Sequence, residues 1–365
     1  MPDQIVVYDG RSADDIEKMA EAISAAFDQA SVPIVEDSES DELPGLEPVT
    51  QINPIPELIG INPEVYRQIN SALKAGFRHL LFYGPPGTGK TTIAQRVAGV
   101  IHDSWKLITG SADFTSQDIL GGYIPLEGGK LKFFPGVLLE NFDKPLIFDE
   151  LNRCDIDKVI GPLFTMLSGQ STTLPYLTEP SNEKSPRIEI RPKGLSEPPQ
   201  AYAPSPQWKL IATINSIDKA SLYQMSYALT RRFAWIYVDV PSDTSGFLRT
   251  YFSRHREGLD NAVAAVPLGL MWAAVNEVRP IGPAPIIDII KLIEAQNPDF
   301  DFFSQVTEPA HAEPYLDGFG VFIMPMLDGI LRDQGEKIVE ALSSVLSLST
   351  EASNQLRHRL LGMTI

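Results

Sequence analysis

Thirteen consecutive residues, LLFYGPPGTGKTT at 80–92, hold the residue types that chemistry on a polyphosphate needs. Gly84, Pro85, Pro86, Gly87, Thr88, Gly89, Lys90, Thr91 and Thr92 follow the G-x-x-x-x-G-K-[ST] spacing. The pattern comes directly after an apolar run and directly before the amphipathic TTIAQRVAGVI, which is the strand-to-helix context it requires. Small residues let backbone N–H groups wrap phosphate oxygens, and the helix start adds the positive end of its dipole. Lys90 is then placed to reach the β- and γ-phosphates of a nucleotide, and the Thr91 hydroxyl to hold Mg²⁺. A Gly/Pro turn at a strand end is the plain alternative, and the flanks weigh against it.

About sixty residues on, KPLIFDELNR closes an apolar run on two adjacent acids, Asp149 and Glu150. Strand side chains alternate between faces, so both acids serve one metal site only if the strand ends there. Asp149 suits an outer-sphere Mg²⁺ partner, and Glu150 the base that orients and polarises an attacking water. A third apolar run, WKLIATIN, ends in Asn215, whose amide suits a hydrogen bond to that water or to the γ-phosphate. Arg231 and Arg232 follow in LTRRF, expected at a helix end. Paired arginines there are ordinarily solvated. The alternative is a planar, always-charged fork that reaches a neighbouring subunit's γ-phosphate.

These residues need a scaffold. HLLFYG, WKLIT, PLIFD, WKLIATIN and AWIYVDV are nearly continuous apolar runs, as strands buried on both faces of a parallel α/β sheet would be. Residues 175–206, with eight prolines, read as a surface insertion containing a short strand at RIEI. Beyond Pro241 the apolar residues recur at helical spacing, as in APIIDIIKLIEAQ and EKIVEALSSVLSL. The expected organisation is a small acidic strand–helix unit over 1–34, an acidic linker over 35–54, an α/β domain over 55–241 and a helical domain over 242–365.

Taken in order, the phosphate loop, the Asp-Glu strand end, the asparagine and the arginines resemble an AAA+ ATPase. ILGGY…GKLKFFPG, FDELNR and ATINSIDKASLYQMSYALTRRF are similar to the subgroup of MoxR-type chaperones, McrB-type restriction motors and dynein-related modules. RPIGPAPIID and VFIMPMLDGILRDQGEKIVEAL look most like an McrB-type lid. The resemblance covers about residues 55–350. It implies a P-loop α/β ATPase domain with a helical lid, ATP (GTP as the alternative) with Mg²⁺, and a homo-oligomeric ring, usually a hexamer. It further implies that Leu58, Ile59 and Gly60 contact the base and that GGYIPLEGGKLKFF is a hairpin facing a pore or partner. Ala284 stands where MoxR-type chains carry a second-sensor arginine, leaving Arg279 as the nearest substitute. Lys219 replaces the arginine of the restriction-motor signature and loses its bidentate fork.

Composition narrows the function. Of a net charge of −17, −11 falls within residues 1–50, which hold thirteen acids and two bases. A net negative chain repels nucleic-acid backbones, so direct nucleic-acid binding is not expected. One cysteine precludes an internal disulfide, and no apolar run approaches a membrane span. A cytoplasmic enzyme acting on a protein partner encoded nearby is the resulting expectation.

Overall fold

Five of the apolar runs pair into one sheet in a computed structural model that describes residues 51–215, 231–255 and 266–365. The strands are β1 Leu80–Gly84, β2 Lys106–Thr109, β3 Gly121–Pro125, β4 Leu131–Pro135, β5 Leu146–Asp149, β6 Thr172–Leu177, β7 Arg187–Ile190, β8 Ala201–Tyr202, β9 Leu210–Asn215 and β10 Ala234–Tyr237. The main sheet runs β10-β1-β9-β5-β2, all parallel. Its helices in the first part are α1 Pro63–Lys74, α2 Lys90–Ile101, α3 Ser116–Leu120, α4 Val137–Glu140, α5 Ile156–Ile160 and α6 Phe164–Leu167. Then follow α7 Thr244–His255, α8 Pro267–Asn276, α9 Pro283–Gln296, α10 Pro309–Gly318, α11 Arg332–Val345 and α12 Thr350–Leu361.

The two-residue period of a strand divides the apolar runs between two cores. Leu80, Phe82, Ile147, Ile211 and Ile236 pack with Ile69, Ile93 and Val97 of α1 and α2. Leu81, Phe148, Leu210, Ala212 and Ile214 pack on the opposite face with Ile119, Val159 and Met166. Only β1, β9 and β5 are buried on both faces. No residue of the edge strand β2 is fully buried, and in β10 only Ile236 is, because an edge strand has a neighbour on one side alone.

Residues 175–206 differ from expectation. RIEI is a strand, β7, but β6, β7 and β8 form a second sheet whose Leu174, Ile188, Ile190 and Tyr202 enter the same core as β5 and β9. The alternation in RIEI puts both isoleucines on one face, and Pro186 and Pro192 flank the strand without interrupting its ladder. The hairpin β3–β4 is antiparallel, with Gly128 and Gly129 turning at positive φ. It is fastened to the second sheet by Tyr123, whose hydroxyl donates to Leu177 O (3.0 Å) and accepts from Leu177 N (2.5 Å).

The C-terminal helices α7–α12 enclose a core of their own around Phe252, Trp272, Ile290, Phe302, Tyr315 and Leu342. Trp272 Nε1 donates to Ile281 O (2.6 Å) and Ile281 N to Asn276 Oδ1 (2.8 Å), fixing the entry to α9. There Gly282 N donates to Pro86 O (2.8 Å), so the start of α9 sits on the 84–92 loop. The described residues all fall within one compact unit, Pro48–Ile365. Ile52, inside the stretch expected as linker, is buried in the first core and exchanges hydrogen bonds with the Asn70 side chain (2.8 and 3.1 Å). The N-terminal strand–helix unit lies outside the described residues. No helix among the described residues is long and apolar enough to cross a membrane.

Candidate nucleotide site

A cavity of about 530 Å³ opens at the C-terminal ends of β1, β9 and β5, between the 84–92 loop and the helices α7 and α9. Sheet order explains its contents. Gly84 pairs in register with Asn215, and β5 lies on the other side of β9, so three strand ends deliver the loop, the asparagine and the acids to one place.

Gly87 and Gly89 have φ of 74° and 86°, which only glycine adopts without strain, and the loop wraps so tightly that a Cβ on Gly89 would meet Leu58 Cδ2 at 3.0 Å. The ladder of α2 begins with Ile93 N donating to Gly89 O (3.0 Å), leaving the N–H groups of the first turn ahead of it. Lys90 is 5% exposed, and its ammonium donates to Gly84 O (3.1 Å) and Pro85 O (2.5 Å). Burial pushes its pKa down to about 8 against the opposing pull of Asp149 and Glu150. A buried cation and a set of open N–H donors suit a polyanion.

Thr91 Oγ1 donates to Asp149 Oδ1 at 2.7 Å, bringing together the two groups expected around Mg²⁺. Thr213 was not foreseen. Its hydroxyl donates to the same Asp149 oxygen (2.5 Å) and accepts from Glu150 N (2.9 Å). The signal lay in the alternation of β9, where residues 213 and 215 share a face.

The adjacent acids reach one site because the strand ends between them. Glu150 has φ 50° and ψ 48°, a left-handed conformation uncommon for a non-glycine residue, which turns the backbone out of the strand. Its carboxylate accepts from Asn215 Nδ2 (3.4 Å) and pairs with Arg153 (2.9 Å). Strain held by defined partners is a mark of a functional position.

Of the three residues expected at the base, Leu58 and Ile59 line the cavity and Gly60 does not. At φ 76° it turns the chain against Pro241 and Phe247, whose side chains a Cβ would crowd at 2.9 and 3.0 Å. Arg279 is likewise absent from the cavity. Its guanidinium donates to Met326 O (2.7 Å) and Asp328 O (2.8 Å) within the helical part, and Ala284 is what faces the loop, its N–H donating to Gly87 O (3.3 Å). Phe247, Tyr251 and His255, spaced by four residues on one face of α7, complete the wall.

Arg231 and Arg232 lie in a separate cavity of about 460 Å³, shared with Arg78 and Ser168. Arg232 Nε donates to Phe164 O (3.1 Å), its guanidinium lies over the Phe164 ring and it also bonds the Ser168 hydroxyl. The helix expected before them, and Ser216 to Lys219, lie outside the described residues. Among the described residues no group of three or more His, Cys, Asp or Glu side chains forms a metal cluster, so a cation here would depend on Thr91, Asp149 and the anion together.

The span from the start of β1 to the start of β10 holds all these strand ends. Residues 79–233 match the family model of the AAA domain (dynein-related subfamily). The Holliday junction branch migration complex subunit RuvB 1 of Synechococcus sp. (strain JA-3-3Ab) is 30% identical over 124 residues, 30% of this chain and 32% of that protein. RuvB of Mesomycoplasma hyopneumoniae (strain 7448) is 31% identical over 121 residues, 29% of this chain and 37% of that protein. The chain thus spans about a third of the length of the curated relatives it matches. The solved Thermotoga maritima RuvB Holliday junction branch migration motor is 16% identical, covering 85% of this chain and 90% of that one with a TM-score of 0.44.

Proposed function

We propose that the protein is a ring-forming, Mg²⁺-dependent ATPase of the AAA type that couples hydrolysis to work on a protein partner. The observation that carries the proposal is the convergence of Lys90, Thr91, Asp149, Glu150 and Asn215 on one cavity behind a loop shaped for a polyphosphate. In it, backbone N–H groups of 87–92 and the Lys90 ammonium hold the phosphates. Thr91 and Asp149 hold the cation, which when bound supplies charge neutralisation at the phosphate oxygens. Glu150 accepts a proton from the attacking water, and Asn215 holds that carboxylate in place. Leu58 and Ile59 pack on the base. Arg231 and Arg232 face a neighbouring subunit, with Arg232 anchored to α6.

The work done on the partner is read as MoxR-like remodelling in the cytoplasm by a ring, usually a hexamer. The lid sequence motivates an alternative, an McrB-like motor subunit of a nuclease system fuelled by GTP or ATP. A nucleotide-dependent scaffold has no use for a base such as Glu150. The RuvB relatives act, by their names, at Holliday junctions. Net charge is −11 over residues 1–50 and only −6 over the rest, so it bears little on what passes through the ring, and a protein partner is retained.

The test is a pair of variants of the full chain. Lys90→Ala is expected to lose nucleotide binding in calorimetry. Glu150→Gln is expected to bind but to lose turnover by on the order of a hundredfold or more. Equal turnover by Glu150→Gln and wild type would remove Glu150 from the chemistry, and unchanged binding by Lys90→Ala would remove the site.

A further inference from the structure

The arginine cavity lies at the opposite end of the sheet from the phosphate loop. Leu80 and Ala234 pair at the starts of β1 and β10, and Arg78 and Arg232 each precede them by two residues. The phosphate loop begins at Gly84, where β1 stops. The rise of β1 alone puts about 13 Å between its two ends. Arg78 lies beyond the far one, so the loop of its own copy is out of reach.

This cavity gathers positive charge without a counter-charge. Arg78 and Arg231 are exposed and make no side-chain hydrogen bond among the described residues, whereas Arg232 is engaged with Phe164 and Ser168. Lys209, 9% exposed, joins the cluster through Phe77, whose carbonyl accepts from its ammonium (3.4 Å). The charges that bear on His79 and Lys209 are all positive. Burial first, then Lys209 and Arg78, push the His79 pKa down to about 3, and burial, then Arg78, lowers that of Lys209. Among the described residues no carboxylate pairs with Arg78, Lys209 or Arg231.

The nucleotide cavity has the reverse imbalance. Among the described residues Glu57, Asp149 and Glu150 line it against a single lysine or arginine, Lys90, before a polyphosphate adds its own negative charge. Phosphoryl transfer loads further charge on the terminal phosphate, which a planar, permanently charged guanidinium is shaped to hold. Two copies set head to tail bring the acid-rich cavity of one against the guanidinium-rich cavity of the next, and a contact of that kind closes into a ring. We propose that Arg78 acts in trans, joining Arg231 on the terminal phosphate of a nucleotide held by a neighbouring copy, while Arg232 positions the pair from α6. The proposal rests on the ring-ATPase reading above and adds to it a residue from outside the arginine pair.

The experiment mixes variants of the full chain. Arg78→Ala alone is expected to keep wild-type ADP affinity and melting temperature while losing ATP turnover about ten- to a hundredfold. Arg78→Lys, which keeps the charge and loses the fork, is expected to fall between the two. Mixed with Glu150→Gln chains, which supply intact arginines beside a dead site of their own, Arg78→Ala is expected to regain turnover to about twofold or more above the sum of the separate chains. Arg231→Ala mixed in the same way is the reference, and co-purification of differently tagged copies shows that mixed assemblies form. Wild-type turnover by Arg78→Ala overturns the inference. So does a loss that mixing leaves unrepaired while that of Arg231→Ala is repaired, because Arg78 then acts within its own copy. If neither loss is repaired in mixed assemblies, or no mixed assembly forms, the ring reading itself falls and this inference with it.

Discussion

Thr213 Oγ1 donates to Asp149 Oδ1 at 2.5 Å, and because it also accepts from Glu150 N, one hydroxyl fixes the angle between the two acids. That bond spans β9 and β5 and sets the point at which the β5 backbone leaves the sheet. Without it, the left-handed turn at Glu150 keeps the carboxylate contacts of Asn215 and Arg153 and the bond from Arg153 N to Glu150 O (3.0 Å), but nothing ties its N–H to β9.

Thr213→Val keeps the shape and removes the hydroxyl. It should cost about 1–3 kcal/mol of stability by stranding the Glu150 N–H, and lower turnover about ten- to a hundredfold by misplacing the carboxylates. Thr213→Ser should recover most of both. Thermal unfolding and steady-state hydrolysis, measured side by side, check this; a valine variant with wild-type turnover would reduce Thr213 to a packing residue.

The pH dependence of stability should carry the signature of Lys90. Its pKa is near 8 in the folded chain and near 10.5 unfolded, so between those values the unfolded state binds more protons and stability rises with pH. Below pH 8 the full penalty of the buried ammonium, on the order of 3 kcal/mol, is present. Lys90→Met should therefore be more stable than wild type at pH 7 without ligand, and the gap in melting temperature should narrow steadily from pH 8 toward pH 10.5. A gap that stays constant over that range would contradict the assignment.

At the seam between the two parts, Gly282 has no room for a side chain. An added Cβ would lie 2.3 Å from Gly87 C and 2.4 Å from Gly87 O, both backbone atoms. Gly282→Ala should push α9 off the phosphate loop and weaken nucleotide binding by about tenfold or more, with little change in the helical core. Binding calorimetry with a melt of the same variant separates these effects, and unaltered affinity would show that α9 does not shape the loop.

The residues that act through the backbone nearest to them were legible in the sequence. Phosphate-loop spacing, the five strands and the Asp-Glu strand end all express local rules, namely glycine where φ is positive, apolar runs where a strand joins the sheet, and acids where a strand stops. What eluded sequence reasoning depends on tertiary neighbours. Arg279 looked available for phosphate because its partners, the carbonyls of 326 and 328, are far along the chain. Thr213 looked like one more β-branched strand residue until β5 was beside it. The 175–206 stretch is dense in prolines, but Pro186 and Pro192 flank β7 and Pro175 falls where the β6 register shifts, while the isoleucines of β7 reach the core. The α7 wall needs the knowledge that one helical face, at 247, 251 and 255, lines the cavity.

The Tyr123–Leu177 clasp decides how a load on the hairpin travels. Ile124, Leu126 and Leu131 at its tip are 43–48% exposed and present a greasy handle to whatever they meet. A tug on that handle is not borne by the single-turn helix α3 alone. It passes through the tyrosine hydroxyl into β6, across to Ile188 and Ile190, and so into the packing beneath β5 and β9, whose ends carry Asp149 and Asn215. Hairpin, second sheet and acid-bearing strands thus form one stiff mechanical linkage, and strain at either end is felt at the other.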